Sequence, residues 1–174
     1  GQALLRSILD TRVRNVDDIQ EITEIPVLVA VAHQDPKASK DSQHAHAEAY
    51  RRLRTNISFI GLGGERRPSL VITSSLPGEG KTQTAVNLAK VLAQADDNVL
   101  LIDADLRRPQ VAARLKLDSE LGLSDVLSRR GNLSDLTILA DDNLWVLPAG
   151  TVPPNPSELL GSLSMEKLLQ VAER

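Results

Sequence analysis

An open, mostly parallel α/β sheet flanked by helices is the fold this sequence predicts, and three observations carry it. The 174-residue chain is 41% hydrophobic but only 2% aromatic, so its core must be built from Leu, Val, Ile and Ala, as in sheets buried on both faces. A strand–loop–helix–strand pattern spans 69–103, and such units make parallel pairs. Further helical and strand patterns follow in the order α-α-β-α, which reads as the same sheet, cut short at its C-terminal end.

The elements follow from periodicity and punctuation. Residues 1–25 carry two short helical patterns, the second on Val16, Ile19 and Ile22 with Asn15 as a candidate cap. Pro26 ends it, and Val27–Ala32 reads as a short strand. The polar run Gln34–Gln43 has no apolar period and marks a boundary between a 1–35 segment and a 36–174 domain. From 44 to 60 a helix places Tyr50, Leu53, Ile57 and Ile60 on one stripe, and Gly61–Gly64 stops it. Ser69–Ser74 and Asn98–Asp103 are strand candidates on either side of a helix over 82–95. Helical patterns at Gln110–Leu117 and Leu123–Ser128 lead to a strand at Leu144–Leu147, a turn around Pro148–Pro156, and a final helix from about Pro156.

Bulk properties narrow the function. A net charge of −3, from 20 basic and 23 acidic residues, gives no global field for nucleic acid, so no nucleic-acid partner is expected. Without cysteine there are neither disulfides nor thiolate metal sites. His44 and His46 lie in a polar helix lead-in and read as solvated side chains. No stretch reaches the ~18 apolar residues of a membrane span. The chain opens on Gly1 without an initiator Met, so it reads as part of a longer protein in which a membrane segment could precede it.

Chemistry concentrates in two places. Ser75-Leu76-Pro77-Gly78-Glu79-Gly80-Lys81-Thr82 lies between a predicted strand and a predicted helix, the context of a phosphate-binding loop. Gly78 and Gly80 permit a turn whose N–H groups converge on phosphate, Lys81 supplies a point charge for β- and γ-oxygens, and Thr82 offers a hydroxyl to Mg²⁺. The helix after the loop adds its positive end. ATP with Mg²⁺ is therefore the expected cofactor. Ser75 stands where the strict motif has glycine, which makes the loop a variant of the P-loop NTPase pattern. The second place is Leu100–Pro109, where Asp103 and Asp105 leave the carboxyl edge of a strand. At a period of two they would share a side, able to hold Mg²⁺ directly or through water, and one could accept a hydroxyl proton.

A hydrophobic-Asp-x-Asp-x-Arg run (Asp103, Asp105, Arg107) after a Gly-Glu-Gly-Lys-Thr loop resembles the Walker A′ motif of bacterial tyrosine kinases (BY-kinases) of exopolysaccharide co-polymerase systems. Leu76 occupies the position of the signature lysine of septum-site and plasmid-partition ATPases, which argues against those dimeric relatives. The resemblance implies Lys81 and Thr82 as nucleotide and Mg²⁺ residues, Asp103 as metal partner and base toward a tyrosine hydroxyl, and Asp105 as a second carboxylate.

Glu48, Arg51 and Arg54 form an E-x2-R-x2-R motif on the face away from the apolar stripe. By spacing alone they read as intrahelical support, and by resemblance they imply association into a ring. Thr151–Leu160 is similar to a segment that precedes a helix in the family, and residues 3–33 to the stretch leaving a membrane-embedded chain-length regulator. The implied function is ATP-dependent protein-tyrosine (auto)phosphorylation governing capsular or exopolysaccharide polymerisation and export. Its implied place is the cytoplasmic side of the bacterial cell membrane, with a neighbouring subunit's tyrosine tail as acceptor. The alternatives are an ATPase switch and a catalytically silent nucleotide-binding scaffold that sets oligomeric state. No hydrophobic-Asp-[ST]-Pro run of a Walker B strand occurs up to Arg174 and Tyr50 is the single tyrosine, so the chain by itself is expected to be a poor kinase.

Overall fold

The computed structural model of the chain describes residues 16–33, 37, 39–60 and 69–173, arranged as two units that divide between Ile57 and Ser58. The first predicted helical piece, the Asn15 cap and the Gly61–Gly64 turn lie outside the described residues.

In the first unit, α1 (Val16–Thr23) matches the second helical pattern, and α2 (Lys40–Phe59) begins four residues earlier than the apolar stripe suggested. Tyr50 and Leu53 are buried as expected, whereas Ile60 is 59% exposed. The ring of His46 meets Tyr50 edge-on at 5.2 Å. Val27–Ala32 is not a strand: it has no ladder pairing among the described residues. Its Leu28 carbonyl instead accepts a hydrogen bond from Asn56 Nδ2 at 2.5 Å.

The second unit holds a three-stranded sheet in the order β1-β3-β2, with β1 at Val99–Ile102, β2 at Ile138–Asp141 and β3 at Leu144–Leu147. β1 and β3 are parallel, Val99 to Ile102 facing Leu144 to Leu147 in register. β2 runs antiparallel to β3 with an irregularity between Leu139 and Asp141, so the described sheet is mixed. The hairpin turns at Asp142–Asn143, and Asn143 takes the left-handed conformation (φ 59°) that asparagine tolerates well.

Alternation along the strands sorts the core into two layers. Val99 and Leu101 of β1, with Leu144 and Val146 of β3, face helix α3 (Lys81–Ala93), which contributes Val86, Ala89 and Ala93. Leu100, Ile102 and Leu147 join the opposite layer, with Leu123 and Leu127 of α5 (Leu123–Leu127) and Leu168 of the last helix. Helix α4 (Val111–Leu115) adds Val111 to the first layer, and α6 (Leu133–Leu136) packs Leu133 and Leu136 against the second.

Two expectations are corrected. Ser69–Ser74 forms no ladder, and Leu70 and Val71 stand 45% and 92% exposed. β-Branched residues favour a pleated, half-buried surface, but a strand exists only against a partner, and this segment has none among the described residues. The final helix is two: α7 (Pro156–Leu160) ends at Gly161, and Ser162 caps α8 (Leu163–Ala172) by accepting the Met165 N–H at 3.3 Å.

Candidate nucleotide site

The loop before α3 has the backbone that its glycines permit. Gly78 and Gly80 sit at φ +87° and +91°, with open space where a Cβ would project. The N–H groups of Gly78, Glu79, Gly80, Lys81 and Thr82 meet no acceptor among the described residues. Five successive unpaired donors at a helix N-terminus make a cradle for an anion. The loop is braced from within: Leu76 N–H donates to Glu79 Oε2 at 3.0 Å, and Ser74 Oγ to the Leu76 carbonyl at 3.0 Å.

The Lys81 ammonium does not wave in solvent. Its Nζ meets Asp105 Oδ2 at 2.5 Å, joining the phosphate loop to the carboxylate run across 24 residues. Burial alone would raise the Asp105 carboxyl, but the hydrogen bond from Lys81, the backbone N–H of Arg108 and the Lys81 charge together hold it below the usual range. The side chains of Lys81 and Asp105 keep 36% and 26% of their surface in water, so the pair contributes about 1 kcal/mol at most. Micromolar nucleotide affinity corresponds to about 8 kcal/mol. The pair is therefore weak beside the interaction energy that a ligand of micromolar affinity would bring to the same ammonium.

Asp103 does not stand beside Asp105 as an open pair. It is 5% exposed, and its carboxylate accepts three backbone N–H groups: Asp105 on Oδ1 at 3.2 Å, and Gln110 and Val111 on Oδ2 at 3.0 Å each. Gln110 and Val111 open α4, so Asp103 serves as that helix's N-terminal acceptor from outside the helix. Its own N–H extends the parallel ladder to the Leu147 carbonyl at 3.0 Å, which fixes it at the sheet's edge. Thr82 is half-buried, and its hydroxyl has no partner among the described residues. No cluster of three carboxylate or histidine side chains able to cage a metal occurs among the described residues.

Three contacts escaped the sequence reading. Arg107 Nη2 donates to Ser157 Oγ at 3.2 Å, tying the carboxylate run to the start of α7. Arg114 reaches Gln83 Oε1 of α3 at 2.6 Å, next to the phosphate loop. Asp125, 1% exposed, accepts the Gly122 N–H at 3.0 Å and the Arg130 guanidinium at 2.9 Å. Burial would raise the Asp125 carboxyl, yet these donors hold it low. Around it, Ser124 Oγ donates to the Thr151 carbonyl at 2.7 Å, and a Cβ on Gly122 would fall 2.0 Å from the Pro148 carbonyl oxygen. This hub clamps the segment leaving β3 against α5. The Gly-x-x-Asp spacing of a helix start was the one local signal for it.

Glu48, Arg51 and Arg54 lie on α2 in the other unit. Arg51 Nη1 pairs with Glu48 Oε2 at 2.7 Å within the helix, and that bond lowers the Glu48 carboxyl.

Residues 70–174 match the family model described as the CobQ/CobB/MinD/ParA nucleotide binding domain. The tyrosine-protein kinase YwqD of Bacillus subtilis is 42% identical over 132 residues, covering 75% of this chain and 55% of that protein. The solved kinase domain of Escherichia coli tyrosine kinase ETK superposes with a TM-score of 0.83 at 31% identity, covering 93% of this chain and 70% of that one. The chain belongs to this nucleotide-binding family, in its BY-kinase group. The BceF tyrosine kinase domain gives the same picture for a BY-kinase, with a TM-score of 0.80 at 30% identity over 92% of this chain and 72% of that one. The P-loop NTPase-like α/β fold expected from the sequence is thereby the fold observed. The chain spans about half the length of YwqD, and 17% of the tyrosine-protein kinase etk of Escherichia coli K12.

Proposed function

We propose that this chain is the nucleotide-binding part of an ATP-dependent protein-tyrosine kinase that regulates capsular or exopolysaccharide polymerisation and export. The observation that carries it is the Lys81–Asp105 contact, which gathers the phosphate loop and the Walker A′ carboxylates into one place. In this reading 36–174 is the catalytic domain, and 1–35 links it to a membrane-embedded regulator at the cytoplasmic face of the bacterial membrane. Glu48, Arg51 and Arg54 join subunits into a ring.

Bound ATP would supply the transferable γ-phosphoryl group, and Mg²⁺ would neutralise its charge. The chain's residues fit that pair. The N–H groups of 78–82 and the Lys81 ammonium hold phosphate, Ser75 to Pro77 shape the loop's entry, and the Thr82 hydroxyl is free to take a metal. Asp105, partly exposed and held by an exchangeable lysine, is the more accessible metal partner. Asp103 keeps one accepting direction on Oδ1 after its backbone bonds, and its metal and proton-accepting roles rest on that direction.

Calorimetry of ADP with and without Mg²⁺, followed by transfer of labelled γ-phosphate to a tyrosine-containing acceptor, tests the proposal. Mg²⁺-dependent binding with transfer supports the kinase. Binding and hydrolysis without transfer would point to an ATPase switch or a scaffold, and absent binding would overturn the nucleotide assignment itself.

A further inference from the structure

Beyond the loop and its carboxylates, the rim of this site is positively charged and uncompensated. Arg107, Arg108 and Arg114 follow the carboxylate run within a few residues, and all three are exposed. Among the described residues none has a carboxylate within salt-bridge distance. Arg107 and Arg114 are held by neutral oxygens, from Ser157 on one side and from Gln83 and Gln110 on the other. Neutral acceptors orient a guanidinium without cancelling its charge. The two carboxylates of the run itself are already committed, Asp103 to backbone N–H groups and Asp105 to Lys81. The chain as a whole is acidic, at −3, so this local excess is not a by-product of composition.

The acceptor of a tyrosine kinase must come to this edge from elsewhere, because the chain's single tyrosine, Tyr50, is 2% exposed inside α2. We infer that Arg108 and Arg114, flanking the carboxylate run with Arg107, form an acceptor-docking rim that selects tyrosines set among Asp and Glu residues. This deepens the kinase reading and rests on it. The phosphates do not need this rim, since the loop N–H groups and Lys81 already face them. An acidic segment approaching over Arg108 and Arg114 would be steered by charge and would place its tyrosine near Asp103 and Asp105.

Fluorescence anisotropy of the full chain, loaded with ADP and Mg²⁺, tests the rim with two labelled peptides. One is a tyrosine flanked by glutamates and the other is its glutamine counterpart. The acidic peptide should bind more tightly, with a preference that shrinks as salt rises. Arg108→Gln with Arg114→Gln should weaken it about threefold to tenfold, the loss expected of one or two exposed charge contacts, and leave the glutamine peptide, ADP affinity and melting temperature unchanged. Arg114→Lys should retain most of the preference. Equal binding of the two peptides, or a double variant that weakens ADP rather than peptide, would overturn the inference. Calorimetry of ADP keeps the two readings apart: ADP bound without peptide preference removes the rim alone, while loss of both removes the nucleotide site as well.

Discussion

Lys81 and Asp105, 24 positions apart, meet at 2.5 Å where α3 begins and the run after β1 ends. The pair ties the loop's lysine to the edge of the sheet and links the start of α3 to the run after β1 through a single side-chain contact.

Lys81→Met removes both the proposed phosphate contact and the partner that holds the Asp105 carboxyl low. Calorimetry should show ADP affinity falling by at least about tenfold, a loss of about 1.4 kcal/mol. Circular dichroism should be unchanged, because the pair is too exposed to support the fold.

Asp103→Ala should behave differently. It strips three backbone donors of their acceptor, one of them the buried Val111 N–H, and should lower stability by roughly 2–4 kcal/mol in urea unfolding. Amide exchange should accelerate in α4 more than in α3.

Asp125 gives a pH signature. Its folded carboxyl lies below the ordinary value, so its contribution is present above the unfolded value of about 3.9 and lost as pH falls through the lower folded value. Wild type should be the more stable protein at neutral pH, and its melting temperature should converge on that of Asp125→Asn as the solution is taken below about pH 4. Parallel curves across that range would remove Asp125 as a source of acid sensitivity.

For the ring, Glu48→Ala with Arg51→Ala and Arg54→Ala should shift a longer protein toward monomers in light scattering while helix content persists. Glu48 and Arg51 already satisfy each other inside one helix, so association requires that they exchange that bond for one across subunits. Identical masses for wild type and variant would leave the motif as intrahelical support.

The phosphate loop and the Asp103–Asp105 run could be located in the sequence because each is contiguous, but the backbone bonds that bury Asp103 apart from Asp105 could not be read there. Helices α2 and α3 were legible from their apolar stripes. What escaped were contacts set by the fold. The Arg107–Ser157 bond spans fifty positions, and the reach of Asp103 to Gln110 and Val111 needs the chain to double back after Pro109. β2 was missed because Ile138–Asp141 is only four residues long and is stabilised by its pairing with β3. The converse error at 69–74 has the same origin: strand propensity makes no ladder where the described residues offer no partner strand.

Because the Asp103 carboxylate is the N-terminal anchor of α4, selection would guard that position even in a descendant that had given up chemistry. Retention of this aspartate is therefore accounted for by the scaffold alone, whether or not the residue also takes part in chemistry. The residue at position 105 is held by the Lys81 ammonium and by the backbone N–H groups of Arg108 and Arg107, all at a partly exposed edge, so a substitution there disturbs the scaffold less.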